Sequence, residues 1–293
     1  MKIKPWIEAM RLRTLPVSAT GVFMASACGV INGCVKWLPA ALCLLFALLA
    51  QIVSNFANEY YDYKAGLDKP GRVGPRRGVT EGDITPKAMK CATYITLGIA
   101  ALVGLTLVYW GGWWLIGAGL LIGIGALAYS SGPVPLSRYA LGEVAVIVFF
   151  GIVPVNLTYY LFSLSFTGQV FWASLAVGLM GANILVVNNY RDRDDDKAVG
   201  KHTIATVFGR GFASALYLFF GLAAVGLLLP EFLKLPSYFL IAPAVYVIAH
   251  IVLFMAVLKK EGSGLNPVLG MTVMNMFLFS LLFLIFSLIH FGV

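Results

Sequence analysis

The chain has 293 residues, of which 60% are hydrophobic and 12% charged, with a mean hydropathy of +0.87. A soluble domain carries about a quarter charged residues, so this composition excludes an ordinary soluble protein and predicts an all-α protein that spans a membrane many times. The net charge of +8 lies in short loops, which excludes a basic domain for binding nucleic acid.

Roughly 20 apolar residues cross a bilayer as one helix, and the chain contains about nine such stretches. We expect a bundle of about nine transmembrane helices that forms a single domain over residues 1–293. The predicted spans are 15–35, 38–57, 91–110, 112–129, 142–162, 169–189, 213–230, 238–257 and 267–290.

The distribution of basic residues predicts the orientation of the bundle. With the N-terminus in the cytoplasm, every Lys and Arg except Lys36 and Lys234 falls on the cytoplasmic side, as the positive-inside rule requires. The opposite orientation would reverse this bias. We therefore expect an integral protein of a bacterial inner (plasma) membrane with a cytoplasmic N-terminus.

Two polar segments, 58–90 and 190–212, follow the second and sixth predicted spans and would both be cytoplasmic. Each opens with the pattern N-x-Y-x-D, at Asn58–Asp62 and at Asn188–Asp192. The two patterns are four spans apart, so their parent helices run in the same direction. This placement predicts two related four-helix halves followed by a final helix.

Residues four apart on a helix share a face, so Asn58 lies beside Asp62, and Asn188 beside Asp192 and Asp196. Two carboxylates about 5 Å apart repel by roughly 3 kcal/mol at an effective dielectric near 20. Nearby basic side chains such as Arg191 could neutralise them as an ordinary solvated charge run. Two matching acidic stripes favour a divalent cation instead, and oxygen ligands of this kind suit Mg²⁺.

Basic residues mixed with glycines follow the first acidic stripe, and Gly200-Lys201 follows the second. Arg offers paired donors to phosphate and Lys offers a point charge, although a topology-fixing basic loop would also explain the charge. A diphosphate that is bound beside a membrane bundle suggests a lipidic substrate. The predicted diphosphate-binding residues are Lys64, Arg72, Arg76, Arg77 and Lys201.

Several longer motifs carry a family resemblance over essentially the whole chain. They are Arg13-Thr14-Leu15-Pro16, the run 55–62, Gly66-Leu67-Asp68, the run 74–78, Ser131-Gly132-Pro133, Leu141-Gly142-Glu143 and the run 188–192. With these motifs the chain resembles the UbiA superfamily of membrane prenyltransferases, which are nine-helix bundles with two Asp-rich motifs. Within it, the likeness is greatest to the enzymes that act on 1,4-dihydroxy-2-naphthoate.

The resemblance implies Mg²⁺-dependent transfer of a polyprenyl group from polyprenyl diphosphate to 1,4-dihydroxy-2-naphthoate. Loss of CO₂ would give demethylmenaquinol, in menaquinone biosynthesis. Asp62, Asp192 and Asp196 would be catalytic. The implied metal ligands are Asn58, Asp62, Asp68, Asp192 and Asp196, and the weaker acceptor-binding candidates are Arg13, Tyr129, Arg138 and Asn188.

The first motif departs from the family pattern in two places. Glu59 stands where the family often has Asp, so it is left off the ligand set. Gly66 occupies the position four residues after Asp62, so the third acidic position falls at Asp68.

Two alternatives remain open at this stage. A related prenyltransferase could use another acceptor, such as 4-hydroxybenzoate, homogentisate, haem or chlorophyllide. A secondary transporter would also show internal repeats, but its site would lie near the bilayer midplane. The midplane polar residues are predicted to be isolated from one another: Asn156, Asn183, His250 and Asn275.

Overall fold

A computed structural model describes residues 3–68 and 74–292, and these form a helical bundle. A π-helical turn, Ile147–Ile152, joins the helices Gly142–Val146 and Val153–Ser163 into one continuous span. The helices are α1 (Ile3–Met10), α2 (Pro16–Ile31), α3 (Trp37–Lys64), α4 (Pro86–Gly111), α5 (Trp114–Ala128), α6 (Gly142–Val146), α7 (Val153–Ser163), α8 (Gly168–Ala198), α9 (Ile204–Phe232), α10 (Ile241–Lys259) and α11 (Leu265–Phe291).

Within the described residues, seven helical stretches are long and apolar enough to cross a membrane. An eighth is counted if α2 forms one span with the N-terminal segment Ile3–Thr14, from which it is bent by 42°. Helix α5 is apolar but has only 15 residues. The prediction of an all-α, multi-spanning protein is confirmed, and every predicted span coincides with a helix, but the number nine stays a prediction.

Helices α3 and α8 continue past their apolar parts, as the helical spacing of the two acidic stripes predicts. Helix α3 ends at Lys64 and α8 ends at Ala198, so both N-x-Y-x-D patterns are helical. Each helix is followed closely by a glycine in the left-handed region, Gly66 at φ +70° and Gly200 at φ +72°. Such glycines end helices without steric cost, whereas charged residues do not end them.

Helix α8 is the central element of the bundle. In its most apolar stretch 67% of the residues are buried, against 17% in the corresponding stretch of α4. The largest core cluster joins α8 to α2, α7, α9, α10 and α11. On the other side of the bundle, α3, α4, α5 and α7 surround a cavity of about 720 Å³. The bundle therefore has a packed side and a hollow side.

Candidate active site

Asn58 is the centre of the first motif. Its Nδ2 donates to Asp62 Oδ2 at 2.8 Å, one helical turn further on, and to Ser130 Oγ at 2.9 Å. Its Oδ1 accepts from Arg77 Nη2 at 2.8 Å and also from Arg11. Asn58 and Asp62 are both buried, so three separate segments of the chain converge on the end of α3.

The segment after α3 is fastened back onto the same helix. Arg77 Nε lies 3.3 Å from Asp68 Oδ2, and each side chain is only 6% exposed. On α3, next to Asn58, Glu59 Oε1 accepts a hydrogen bond from Val79 N at 3.0 Å. Glu59 therefore holds the loop rather than facing Asp62, which agrees with its omission from the predicted ligands.

The second motif is organised by its own helix. Asp192 Oδ1 accepts from Arg191 Nε at 2.6 Å, and Oδ2 accepts from Nη2 at 2.8 Å. The same guanidinium donates to Asn188 Oδ1 and to Oδ1 of Asn266, which lies on α11, both at 2.8 Å. Arg191 therefore neutralises Asp192, but as a buried pair rather than as part of a solvated charge run.

The other charges of the second motif separate into an inner and an outer pair. Lys201 Nζ lies 3.3 Å from the buried Asp196, as expected for a residue of this site. Arg193 turns outward instead and pairs with Asp194 at 3.1 Å, where Arg210 joins it at 3.0 Å. Asp196 and Lys201 thus belong to the interior, and the Asp194 group belongs to the surface.

The segment between α5 and α6 connects the two motifs. Arg138 Nη2 lies 3.6 Å from Asp62 Oδ1 and donates to Ser130 O at 3.2 Å. The backbone of the same residue accepts from His202 N at 3.1 Å, and Ala140 N donates to His202 O. One short stretch of chain is therefore bonded to the end of α3 and to the loop that follows α8.

Tyr129 lies where the fields of both motifs overlap. Its phenol interacts electrostatically with Glu143, Arg11, Asp62 and Asp196, in decreasing order. Because Asp62 belongs to the first motif and Asp196 to the second, carboxylates of both motifs lie within electrostatic range of one side chain. This electrostatic range and the bonds of Arg138 support the predicted convergence of the two acidic stripes, which stays a prediction.

Some predicted residues are not brought into this cluster. Lys64 and Arg13 are exposed, and Arg76 pairs with Asp83 and, at 3.6 Å, with Glu8. Arg72 lies outside the described residues. Asn188 joins the cluster only through its bond from Arg191.

Sequence reasoning missed Arg11, which takes the place expected of Arg13. Arg11 has a left-handed backbone, φ +54°, that follows directly on the end of α1 and redirects the chain. The basic N-terminal segment gave a signal for a cation here, but the register of a three-residue turn has no sequence signature.

Glu143 was also given no role, although it stands in one of the family motifs. It is 2% exposed, and its Oε1 accepts from Asn189 Nδ2 at 2.9 Å, which ties α6 to α8. No residue of the described chain donates a hydrogen bond to Oε2. The charge of Lys201 acts on this carboxyl group, so Glu143 borders the cluster.

The cavity on the hollow side begins at this cluster. The part of the cavity nearest the cluster is lined by Tyr129, Gln51 and Ser54. The part further from the cluster is lined by Leu107 and Leu115. Most of the remaining lining is aliphatic. The arrangement can hold an anionic head group among the arginines and lysine and an apolar tail in the cavity.

The carboxylates suit a magnesium site that is completed by substrate. In the ranges that the structure describes, no three His, Cys, Asp or Glu side chains lie close enough to hold a metal by themselves. Asn58 and Asp62 carry side-chain oxygens at the end of α3, and Asp192 and Asp196 carry them at the end of α8. Mg²⁺ is commonly bound by one or two carboxylates together with substrate phosphates, so this donor set fits it.

In the described chain no hydrogen bond joins two of the midplane polar residues, although three of them contact Tyr246. His250 is stacked on Tyr217 and on Tyr246, with ring centroids 4.6 and 5.7 Å away. Asn275 donates to Tyr246 O at 3.0 Å, and Asn183 interacts with the Tyr246 phenol. His250, Asn183 and Asn275 therefore belong to the packed side of the bundle, whereas Asn156 lines an apolar cavity and bonds to Ile152 O of its own span. This arrangement gives the transporter alternative no support.

Two solved structures share this fold. A UbiA homologue from Archaeoglobus fulgidus bound to DMAPP and Mg²⁺ aligns with a TM-score of 0.67 over 96% of this chain and 99% of that chain, at 17% identity. An apo UbiA homologue from Aeropyrum pernix K1 also gives 0.67, over 97% and 98% of the two chains, at 18% identity.

Curated relatives are closer in sequence. The 1,4-dihydroxy-2-naphthoate octaprenyltransferase of Escherichia coli is 36% identical over 71% of this chain and 70% of its own length. The enzyme of the same name from Mycobacterium tuberculosis is 35% identical, over 75% and 74%. The profile of the UbiA prenyltransferase family matches residues 15–281. The chain therefore belongs to the UbiA prenyltransferase family.

Proposed function

We propose that this protein transfers a polyprenyl group from polyprenyl diphosphate to 1,4-dihydroxy-2-naphthoate. The transfer releases diphosphate and CO₂ and gives demethylmenaquinol, a step of menaquinone biosynthesis. The names of the relatives at 34–36% identity support this acceptor. The observation that carries the proposal is the position of Arg138, whose side chain lies beside Asp62 and whose backbone bonds to the loop after α8, next to the mouth of a cavity suited to a prenyl tail.

The metal of this reaction is Mg²⁺, held by Asn58, Asp62, Asp192 and Asp196 with help from Asp68. A UbiA homologue bound to DMAPP and Mg²⁺ supports this choice at the level of the family. Bound Mg²⁺ supplies positive charge to the diphosphate oxygens and so makes diphosphate a better leaving group.

The basic side chains of the site bind the head group. Arg11, Arg77, Arg138 and Lys201 approach it from four segments, and each already lies beside a motif side chain. They stabilise the charge that develops on the diphosphate as its bond to the prenyl carbon breaks, where electrostatic stabilisation contributes most to rate.

The remaining steps depend on the surroundings of the prenyl carbon. The leaving diphosphate takes the bonding electron pair, and the electron-rich ring of the acceptor attacks the allylic cation. Loss of the ring carboxylate as CO₂ returns an electron pair and restores aromaticity. The ring of Tyr129 can stabilise the cation through its π face, and the aliphatic cavity excludes water that would capture it.

The finer architecture belongs to the same proposal. The two elements that bring seven spans to nine are α2 and α5, and the nine form two four-helix halves and a final helix in one domain. The N-terminus and the active site face the cytoplasm of a bacterial inner membrane. Cys91, exposed at the start of α4, tests the orientation, because a membrane-impermeant maleimide should label it in inverted vesicles and not in intact cells.

Product analysis tests the reaction directly. The purified protein is incubated with octaprenyl diphosphate and, separately, each candidate aromatic acid, with and without Mg²⁺, and products are identified by mass. We expect Mg²⁺-dependent, decarboxylated product from 1,4-dihydroxy-2-naphthoate. Faster turnover of 4-hydroxybenzoate or homogentisate would show that this acid is the acceptor instead. The absence of any prenylated product would overturn the proposal.

A further inference from the structure

A second cavity, of about 630 Å³, lies next to the first one and further from the motifs. Its lining includes Thr167 and Gly168 at the start of α8, the end of that helix remote from Asp192. Its rim includes Leu121 and Phe166, which are 67% and 59% exposed and so face the bilayer. The motifs, the first cavity and the second cavity therefore follow one another along the bundle.

The two cavities share one wall. Five residues line both: Ala118 and Ile122 on α5, Phe149 on the π-helical turn, and Val153 and Leu157 on α7. Phe149 is the largest of the five. A Cβ added at Gly125 would collide with its ring, so the ring lies flat against the α5 backbone and closes the space between α5 and α7.

The backbone that carries Phe149 is unusual. Residues Ile147–Ile152 form a π-helical turn, and such turns are rare and frequently occur at functional sites. Gly151 in this turn faces Gly178 of α8, and a Cβ at Gly178 would lie 2.7 Å from Ile147 O. The close contact with α8 fixes the turn, and the turn in turn sets the position of the Phe149 ring.

The size of the first cavity gives this wall a consequence. A volume of about 720 Å³ is in the range, roughly 300–1,000 Å³, that encloses a drug-sized ligand. An octaprenyl tail is much longer than such a ligand, so its distal isoprene units must continue beyond the first cavity. The second cavity is the adjoining apolar space, and it leads to the bilayer.

We infer that the second cavity binds the distal isoprene units of a long prenyl donor and that Phe149 controls entry to it. This inference rests on the proposed function. Short donors are held entirely in the first cavity, where they contact only one side of the ring and do not have to pass it. Long donors pass it, so the side chain at position 149 sets the preference for chain length.

Two substitutions of opposite size test the inference. Phe149→Trp enlarges the wall and should raise the KM for octaprenyl diphosphate by tenfold or more, since each buried CH₂ contributes about a factor of four to binding. The same variant should raise the KM for geranyl diphosphate several-fold less, because that donor does not have to pass the ring. Phe149→Ala should instead lower the KM for octaprenyl diphosphate and change that for geranyl diphosphate less.

Phe46 offers a matched control. It is also half-buried, lines the first cavity but not the second, and has a ring 3.1 Å from a Cβ added at Gly104. Phe46→Trp and Phe46→Ala should change both donors together, without selectivity for length. Gel filtration and thermal melting of every variant in detergent report whether each one is folded.

The outcomes separate the inference from the proposed function. Equal effects of the Phe149 variants on both donors, no effect, or the same length selectivity in the Phe46 variants would overturn the role of Phe149 and leave the transferase intact. A wild-type protein that transfers neither donor would sink the transferase proposal, and the inference with it.

Discussion

The two N-x-Y-x-D motifs look alike in sequence but are held in place differently. Asn58 of the first motif is bonded to Arg11, Arg77 and Ser130, which come from three distant segments. Asp192 of the second motif is held by the neighbouring Arg191. The first motif therefore needs long-range folding to become organised, whereas the second is set mainly by its own helix.

Of the substitutions that test this comparison, removal of either motif carboxylate should lower the rate of prenyl transfer most. We expect Asp62→Ala and Asp192→Ala each to lower kcat by about 10²–10³ or more, because each would remove a ligand of the Mg²⁺ whose positive charge stabilises the leaving diphosphate. Prenyl transfer by the purified variants measures this. Asp194→Ala is the control, since that side chain is 67% exposed on the outer surface, and near-normal rates in Asp62→Ala or Asp192→Ala would remove that residue from the mechanism.

The second motif should also be the more sensitive to a single change in stability. Arg191 and Asp192 have side chains only 2% and 5% exposed, and Arg191→Ala leaves the carboxylate buried beside an unfilled space. Breaking a buried pair in this way costs about 3–5 kcal/mol. Thermal melting in detergent should show a clearly lower melting temperature for Arg191→Ala than for wild type. An unchanged melting temperature would show that the motif does not depend on this ion pair.

Arg138 tests the connection between the motifs. Its side chain lies beside Asp62, and its backbone bonds to the loop after α8. Arg138→Ala should reduce kcat/KM for the prenyl diphosphate by roughly 10–100-fold, the range for losing a charged hydrogen-bond partner. Arg138→Lys should restore part of this. Equal rates in Arg138→Ala and wild type would place Arg138 outside the diphosphate site.

Substitutions of the two N-terminal arginines should differ in their effect on kcat/KM, and these effects should be the smallest of the set. Arg11 is bonded to Asn58, whereas Arg13 and Lys64 are exposed. We expect Arg11→Ala to lower kcat/KM by about tenfold and the two exposed variants to stay within about twofold, because exposed charges contribute little. A larger loss in Arg13→Ala than in Arg11→Ala would reverse the assignment.

The fold was largely predictable because hydropathy alone determines where a chain can cross a bilayer. The acidic positions were predictable as well, since Asn58, Asp62, Asp192 and Asp196 repeat at helical spacing. The partners of these residues were not, because Arg11, Ser130 and Arg138 reach them through turns without regular periodicity. Hydropathy located only the membrane-spanning parts of α3 and α8, and the helical spacing of the acidic residues indicated that both helices continue beyond them.

The central claim is that both motifs act on one magnesium-bound diphosphate. The most direct test is the affinity of a non-reactive prenyl thiodiphosphate, with and without Mg²⁺, for wild type, Asp62→Asn, Asp192→Asn and the double variant. Residues that share one ligand should be strongly non-additive, so each single variant should lose most of the Mg²⁺-dependent affinity and the double variant little more. Additive losses, or an Asp192→Asn variant that binds like wild type, would contradict the claim.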